Sequence, residues 1–350
     1  GNQSNWPVLI TRVSPDLVYL FDDLHKLCDW VITADRNAGV EYFDSPHTLS
    51  GVYNAYLIDC VPERDDLGFL QLITSTACLE EVVGLFDIAL GEMGLSSSPR
   101  NCRFLLDALK SVSGRLAMRL AGKGMVVQEM IALALVQGQC VKGSSEDPIW
   151  PSLAEGFFIP LDDVPELLRT GVRNQEEERR ADLLYVSAPK RGGLRFFFIE
   201  IKFRRSLRTA RTSDVNLAIE QQLEASCRRW NQLYGADCSS LERTIRRSYL
   251  ARILRFYVGK AGRHHLSEDA YKRINREIER MLREGSSYTM PIVGEEEESR
   301  KGFVFCPEYS GDRPDRIFHS GNAEIWLFGP GAMPEPRKNR PEPMHVQSTS

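Results

Sequence analysis

The sequence predicts an α/β protein of two parts, an N-terminal α/β region over about 1–120 and a larger α/β region over 121–330, followed by a polar tail at 331–350. Three observations carry that prediction. Residues 181–186 (ADLLYV) and 194–203 (LRFFFIEIKF) are two β-type runs joined by Pro189-Lys190-Arg191-Gly192-Gly193, the composition of a hairpin turn. Apolar residues at helical spacing precede this pair at 124–139 and follow it at 215–234. Short runs at 156–160 (GFFIP) and 252–260 (RILRFYVGK) add two strands, and 266–284 adds a helix. The order is αβββαβ with one helix appended.

In the first part, Trp30-Val31-Ile32-Thr33 is a β-branched run followed by turn residues at 35–39. Residues 53–60 (YNAYLIDC) and 69–74 (FLQLIT) read as two further strands. Ser75 or Thr76 is placed to cap a helix over 78–92, and 102–120 is a second amphipathic stretch. No motif here converts into chemistry, so scaffolding or partner docking is expected. In the second part the helix at 124–139 carries one acid, Glu129. The run at 175–180 (QEEERR) is a solvated charge run, Ser213 or Asp214 suits the cap of the helix at 215–234, and Ser267 suits the cap of the last helix. The acidic run at 295–298 reads as a loop, and 315–318 and 324–328 as two closing strands. The Pro-rich tail reads as disordered or as a linker.

Hydrophobic residues make up 42% and charged residues 26% of the 350, which is enough apolar content for a core in each part. The net charge of -4 and pI near 6.0 are unlike those of a compact non-specific nucleic-acid binder, so the local charge pattern has to carry any such argument. The eight cysteines form no C-x-x-C pair and stand at no zinc-finger spacing, as expected of reduced thiols in a reducing compartment. No secretory leader pattern and no apolar run of about 18 residues is present. A cytoplasmic location without a membrane partner is therefore expected.

The chemistry concentrates at Asp182 and at Glu200-Ile201-Lys202 on the next strand. Strand residues alternate faces, so Glu200 and Lys202 share one, and the hairpin can bring Asp182 beside them. Two neighbouring carboxylates repel, and a divalent cation between them removes the repulsion. Hard oxygen ligands suit Mg²⁺ or Mn²⁺, and the Ile201 carbonyl is a candidate further ligand. A metal acidifies water and stabilises phosphoryl oxygens, while Lys202 can orient the water or meet the developing charge, which is the equipment of phosphodiester hydrolysis. Both charges sit in a strand otherwise built of Phe and Ile, where burial is costly unless they are paired or coordinated. A buried Glu–Lys ion pair is the structural alternative. Arg204, Arg205, Arg208 and Arg211 follow directly and suit the grip of a DNA backbone; a solvated loop is the alternative. Trp230 and Tyr234 read as core packing, and adjacent His264 and His265 do not face one ligand together.

Asp182 followed by Glu200-Ile201-Lys202 in an αβββαβ order resembles the PD-(D/E)XK nuclease superfamily over roughly 121–285, with Ala181 where the motif has proline. The resemblance implies a restriction-endonuclease-like core with a mixed central sheet, and a metal-dependent DNA endonuclease. It also implies an acid from the first helix, for which Glu129 is the candidate and Glu166 its rival. A polar residue on the helix after the E-x-K strand is implied too, where Gln221 and Gln222 stand. Residues 29–46, 113–120 and 325–331 also resemble the segment beside the motor of bacterial HerA/FtsK-type anti-phage DNA translocases, including those of phosphorothioation-dependent restriction. This chain has no G-x-x-x-x-G-K phosphate loop, so an ATPase of that type would be a partner, and an inactive DNA-binding or assembly module is the competing class. Cutting both strands also favours a homo-oligomer.

Overall fold

A computed structural model gives the architecture. It describes residues 26–35, 57–61, 71–76, 124–142, 149–169, 180–204, 206, 212–235, 239–294, 300–311, 313–320 and 323–330, with scattered positions between 78 and 109 and residue 24. The chain divides into two compact units, Gly1–Leu79 and Glu80–Ser350, a split earlier than the boundary near 120 read from the sequence. The first unit holds β1 (Trp30–Asp35), β2 (Leu57–Val61) and β3 (Gln71–Thr76), antiparallel in the order β1-β3-β2. Buried Thr76 ends β3: its hydroxyl donates to the Asp29 carbonyl at 2.6 Å and accepts from the Cys78 N–H at 3.0 Å.

The second unit is built on a mixed six-stranded sheet in the order β4-β5-β6-β7-β9-β8. Its strands are β4 (Gly156–Pro160), β5 (Leu183–Ser187), β6 (Arg195–Phe203), β7 (Arg300–Phe305), β8 (Asp315–Ser320) and β9 (Ala323–Phe328). The β5–β6 hairpin turns where expected, with Gly192 at φ 112°, a conformation that side chains resist. β6 pairs antiparallel with β5 and parallel with β7, and a parallel pair requires a long crossover. That crossover is α2 (Thr212–Tyr234), α3 (Ser240–His264) and α4 (Glu268–Glu284), while α1 (Gly124–Lys142) packs against β6.

Directly paired residues share a face. Ile159, Leu184 and Phe198 form one such row and Phe157, Val186 and Phe196 the next; both join Ile219, Leu223 and Trp230 of α2 in the main core. Trp230 is fully buried, 4.6 Å from the Phe196 ring and 4.4 Å from that of Tyr234, so both aromatic residues pack the core as the sequence suggested. Ser267 caps α4 by accepting from the Ala270 N–H, also as expected, and β8 and β9 close the sheet.

One element is overturned. Residues 252–260 are not a strand but the middle of α3. Their aromatic and β-branched content suggested a strand, yet the buried positions Leu250, Ile253, Leu254, Tyr257, Val258 and Ala261 follow helical spacing, and Ser239 caps the helix start by accepting from the Glu242 N–H. The fourth strand of the core is instead β7, so three helices intervene between the third strand and the fourth. Ser213 and Asp214 fall inside the first turn of α2, which starts at Thr212. The helix expected at 102–120, the loop at 295–298 and the tail at 331–350 lie largely or wholly outside the described residues. No helix among the described residues is long and apolar enough to cross a membrane.

Candidate active site

The antiparallel register ends with Leu183 against Ile199, so Asp182 and Glu200 follow at the same end of the hairpin. The backbone fixes that position from both sides: the Asp182 N–H donates to the Ile199 carbonyl at 3.1 Å, and the Asp182 carbonyl accepts from the Leu161 N–H at 2.9 Å. Its side chain is held as well, Oδ2 accepting from the Ile201 N–H at 2.7 Å. Glu200 and Lys202 lie two apart on β6, and the Lys202 Nζ stands 2.5 Å from Glu200 Oε1. Asp182, Glu200, Ile201 and Lys202 thus come together at one end of the β5–β6 pair.

The environments of the two acids differ. Asp182 is half-buried, whereas Glu200 is 0% exposed and its Oε2 has no hydrogen-bond partner. Burial first and the Asp182 charge second push the Glu200 carboxyl well above the usual carboxylate range; Lys202 pulls the other way and Asp162 adds a further push upward. Desolvating an ionised carboxylate costs several kcal/mol. A contact ion pair in partly solvated protein returns about 4 kcal/mol. Burial outweighs the ion pair, and the repulsion from Asp182 adds to it, so Glu200 is tipped toward keeping a proton. A cation would relieve both the repulsion and the unsatisfied oxygen.

Helix α2 backs this corner. The Ser226 hydroxyl, fully buried, donates to the Gln222 carbonyl at 2.9 Å and accepts from the Ala181 N–H at 2.8 Å. Gln222 Nε2 donates to the Arg180 carbonyl at 3.4 Å, so Gln222 holds the chain just ahead of Asp182; Gln221 is exposed. Gly302 of β7 pairs with Glu200, and a Cβ there would stand 2.7 Å from Ile219 Cγ2. The missing side chain is what lets α2 lie directly over the Glu200 row.

The remaining sequence candidates are less closely gathered. Glu129 lies on α1, but its side chain is outside the described residues; its rival Glu166 is half-buried in a 3-10 turn, Pro165–Leu168. Arg204 is exposed just past β6, its N–H donating to the Phe305 carbonyl at 2.9 Å; Arg205, Arg208 and Arg211 are outside the described residues. His264 and His265 end α3 instead of following a strand. The His265 ring nitrogens have no hydrogen-bond partner, and burial takes its pKa down to about 4.

Sequence reasoning missed Asp162, Ser226 and Gly302. The pairing of Pro160 with Leu183 brings the turn after β4 to Asp182, and this long-range neighbour was the only signal for Asp162. Gly302 lay in a strand that had not been recognised. Among the described residues no group of three His, Cys, Asp or Glu side chains is clustered as a metal cage. No family model, curated protein or solved structure matches the chain.

Proposed function

We propose that this protein is a metal-dependent nuclease of the PD-(D/E)XK type, hydrolysing DNA phosphodiester bonds at the Asp182–Glu200–Lys202 corner. The observation that carries the reading is a fully buried Glu200 with one unpartnered oxygen, with a second carboxylate at the same end of the hairpin and a lysine beside it. Further support comes from the surroundings: a hairpin of β5 and β6, a parallel strand β7 beside it, and a helix on either side in sequence. The resemblance of residues 29–46, 113–120 and 325–331 to the segment beside the motor of bacterial anti-phage DNA translocases adds defence against foreign DNA as the setting, with a HerA/FtsK-type translocase as partner.

The donor set fits a hard divalent cation: two carboxylates, with the Ile201 carbonyl nearby, leave coordination positions to water as Mg²⁺ and Mn²⁺ prefer. A bound cation would lower the pKa of water and stabilise charge on the phosphoryl oxygens. Asp182 and Glu200 would hold it. Lys202, with its side chain 23% exposed, can leave Glu200 to orient the attacking water or to meet charge on the phosphate. Gln222 keeps Asp182 in place through the Arg180 carbonyl, and Arg204 offers a contact to a flanking phosphate.

The short Glu200–Lys202 ion pair also supports a second reading, an inactive DNA-binding or assembly platform in which the pair is structural. Plasmid cleavage in Mn²⁺, with a chelator control, separates the two. Under the nuclease reading the chelator abolishes cutting, Lys202→Ala lowers the rate by roughly 10²–10⁴-fold, and Asp182→Ala removes it. Cutting that survives both substitutions rules this corner out, and a protein that binds DNA without cutting it favours the platform.

A further inference from the structure

An acidic corner that handles a polyanion must offset its own repulsion, and the described residues place an unassigned arginine beside it. Arg180 stands two residues before Asp182. Its carbonyl accepts from Gln222, and the next N–H, that of Ala181, donates to buried Ser226, so the backbone at this point is fastened to α2. The guanidinium, by contrast, is held only at the surface. Its Nε and Nη2 both donate to the same oxygen, Asp162 Oδ1, at 3.1 and 2.5 Å, with the two side chains 28% and 50% exposed. That one-oxygen arrangement forgoes the two-oxygen fork in which arginine binds oxyanions best. It is also solvated enough to exchange. The Leu161 N–H donates to the Asp182 carbonyl at 2.9 Å, which sets the turn carrying Asp162 against the start of β5. The pair therefore lies at the mouth of the corner, a rigid mount carrying a replaceable counter-ion.

We propose that Arg180 is a phosphate-binding residue, held by Asp162 in the empty protein and transferred to a backbone phosphate of the bound nucleic acid. The proposal rests on the nuclease reading for its ligand, but it concerns binding and not bond cleavage. On binding, the guanidinium exchanges one carboxylate oxygen for two phosphate oxygens and releases Asp162. The alternative is a plain surface staple between the turn after β4 and the start of β5.

The test is the affinity of the full chain for a duplex DNA oligonucleotide, measured without divalent metal across a salt series, with thermal melting of each variant. Arg180→Ala is expected to weaken binding about three- to tenfold and to lower the slope of log affinity against log salt by about one phosphate. Arg180→Lys keeps the charge and loses the fork, so it should keep the slope with an intermediate affinity; it carries the test if the alanine variant unfolds. Asp162→Asn releases the guanidinium and should tighten binding about threefold, a gain that shrinks in the Arg180→Ala background. Lys272→Ala, which breaks a surface ion pair on α4, is the control and should leave the slope unchanged. A slope and affinity unmoved by Arg180→Ala, or an Asp162→Asn variant that melts lower and binds no tighter, overturns the proposal in favour of the staple. Failure of the wild type to cut DNA in Mn²⁺, with the Arg180 effects intact, would remove the nuclease reading and leave this one standing.

Discussion

Two buried charges sit in neighbouring rows of the same sheet, and their treatment is opposite. Lys301 of β7 pairs with Ile199 on one side and Glu324 on the other, and is 4% exposed. Its Nζ donates to the Ile149 carbonyl at 3.1 Å and has Glu324 at 3.9 Å, while Glu324 is also within 3.4 Å of Arg316. Glu200, in the adjacent row and pointing to the other face, is more deeply buried and less well served: one ion pair, one unpartnered oxygen, and a second acid across the strand. A fold that needed Glu200 only for stability would supply it as Lys301 is supplied. The difference teaches that burial of charge does not by itself mark a site; burial left unsatisfied does.

The comparison breaks most visibly at Lys301. Lys301→Met keeps the packing and removes the donor to the Ile149 carbonyl. We expect a loss of about 2–3 kcal/mol in chemical denaturation, short of the cost of orphaning a fully buried charge because Glu324 keeps Arg316. DNA cleavage at saturating Mn²⁺ should be unaffected in the folded fraction. A stability unchanged by Lys301→Met would mean that this charge is no better satisfied than Glu200, and the contrast would be lost.

A smaller effect is expected at Gly302, which links the two rows. Gly302→Ala would put a methyl 2.7 Å from Ile219 Cγ2 and 3.1 Å from Ile325 Cγ1, so α2 or its isoleucine has to move. Overpacking of this kind costs about 1–2 kcal/mol. Since α2 also carries Gln222 and Ser226, the melting shift should come with slower cleavage, and a shift without any change in rate would disconnect α2 from the site.

The site was more legible in the sequence than the fold around it. The Asp182 and Glu200-Ile201-Lys202 grouping needed only a hairpin and the two-residue alternation of strands, both local signals. The helix at 215–234 and the closing strands were equally local. What failed was long-range or ambiguous in period. Residues 252–260 carry strand-like side chains, and only the wider window shows a helix. β7 follows the acidic run, and its membership of the sheet is decided by parallel pairing with β6 across nearly a hundred residues of helical crossover. Asp162 and Gly302 reach the site through the pairing of β4 with β5 and of β7 with β6, which no local pattern announces.

The finest discrimination comes from pH. Burial and Asp182 raise the Glu200 carboxyl in the folded protein above its value in an unfolded chain, which is about 4.3. A group raised in this way contributes stability that is fully present below the unfolded value and is lost as pH rises through the folded one. With chelator present, the stability of wild type minus that of Glu200→Gln should therefore fall as pH rises above about 4. Mn²⁺ should reverse the trend for wild type alone, because cations bind the ionised carboxylate and the amide offers none. A difference that is flat or rises with pH would mean that Lys202 outweighs burial and the Asp182 repulsion. Glu200 would then be as well satisfied as Lys301, and the pair would be structural.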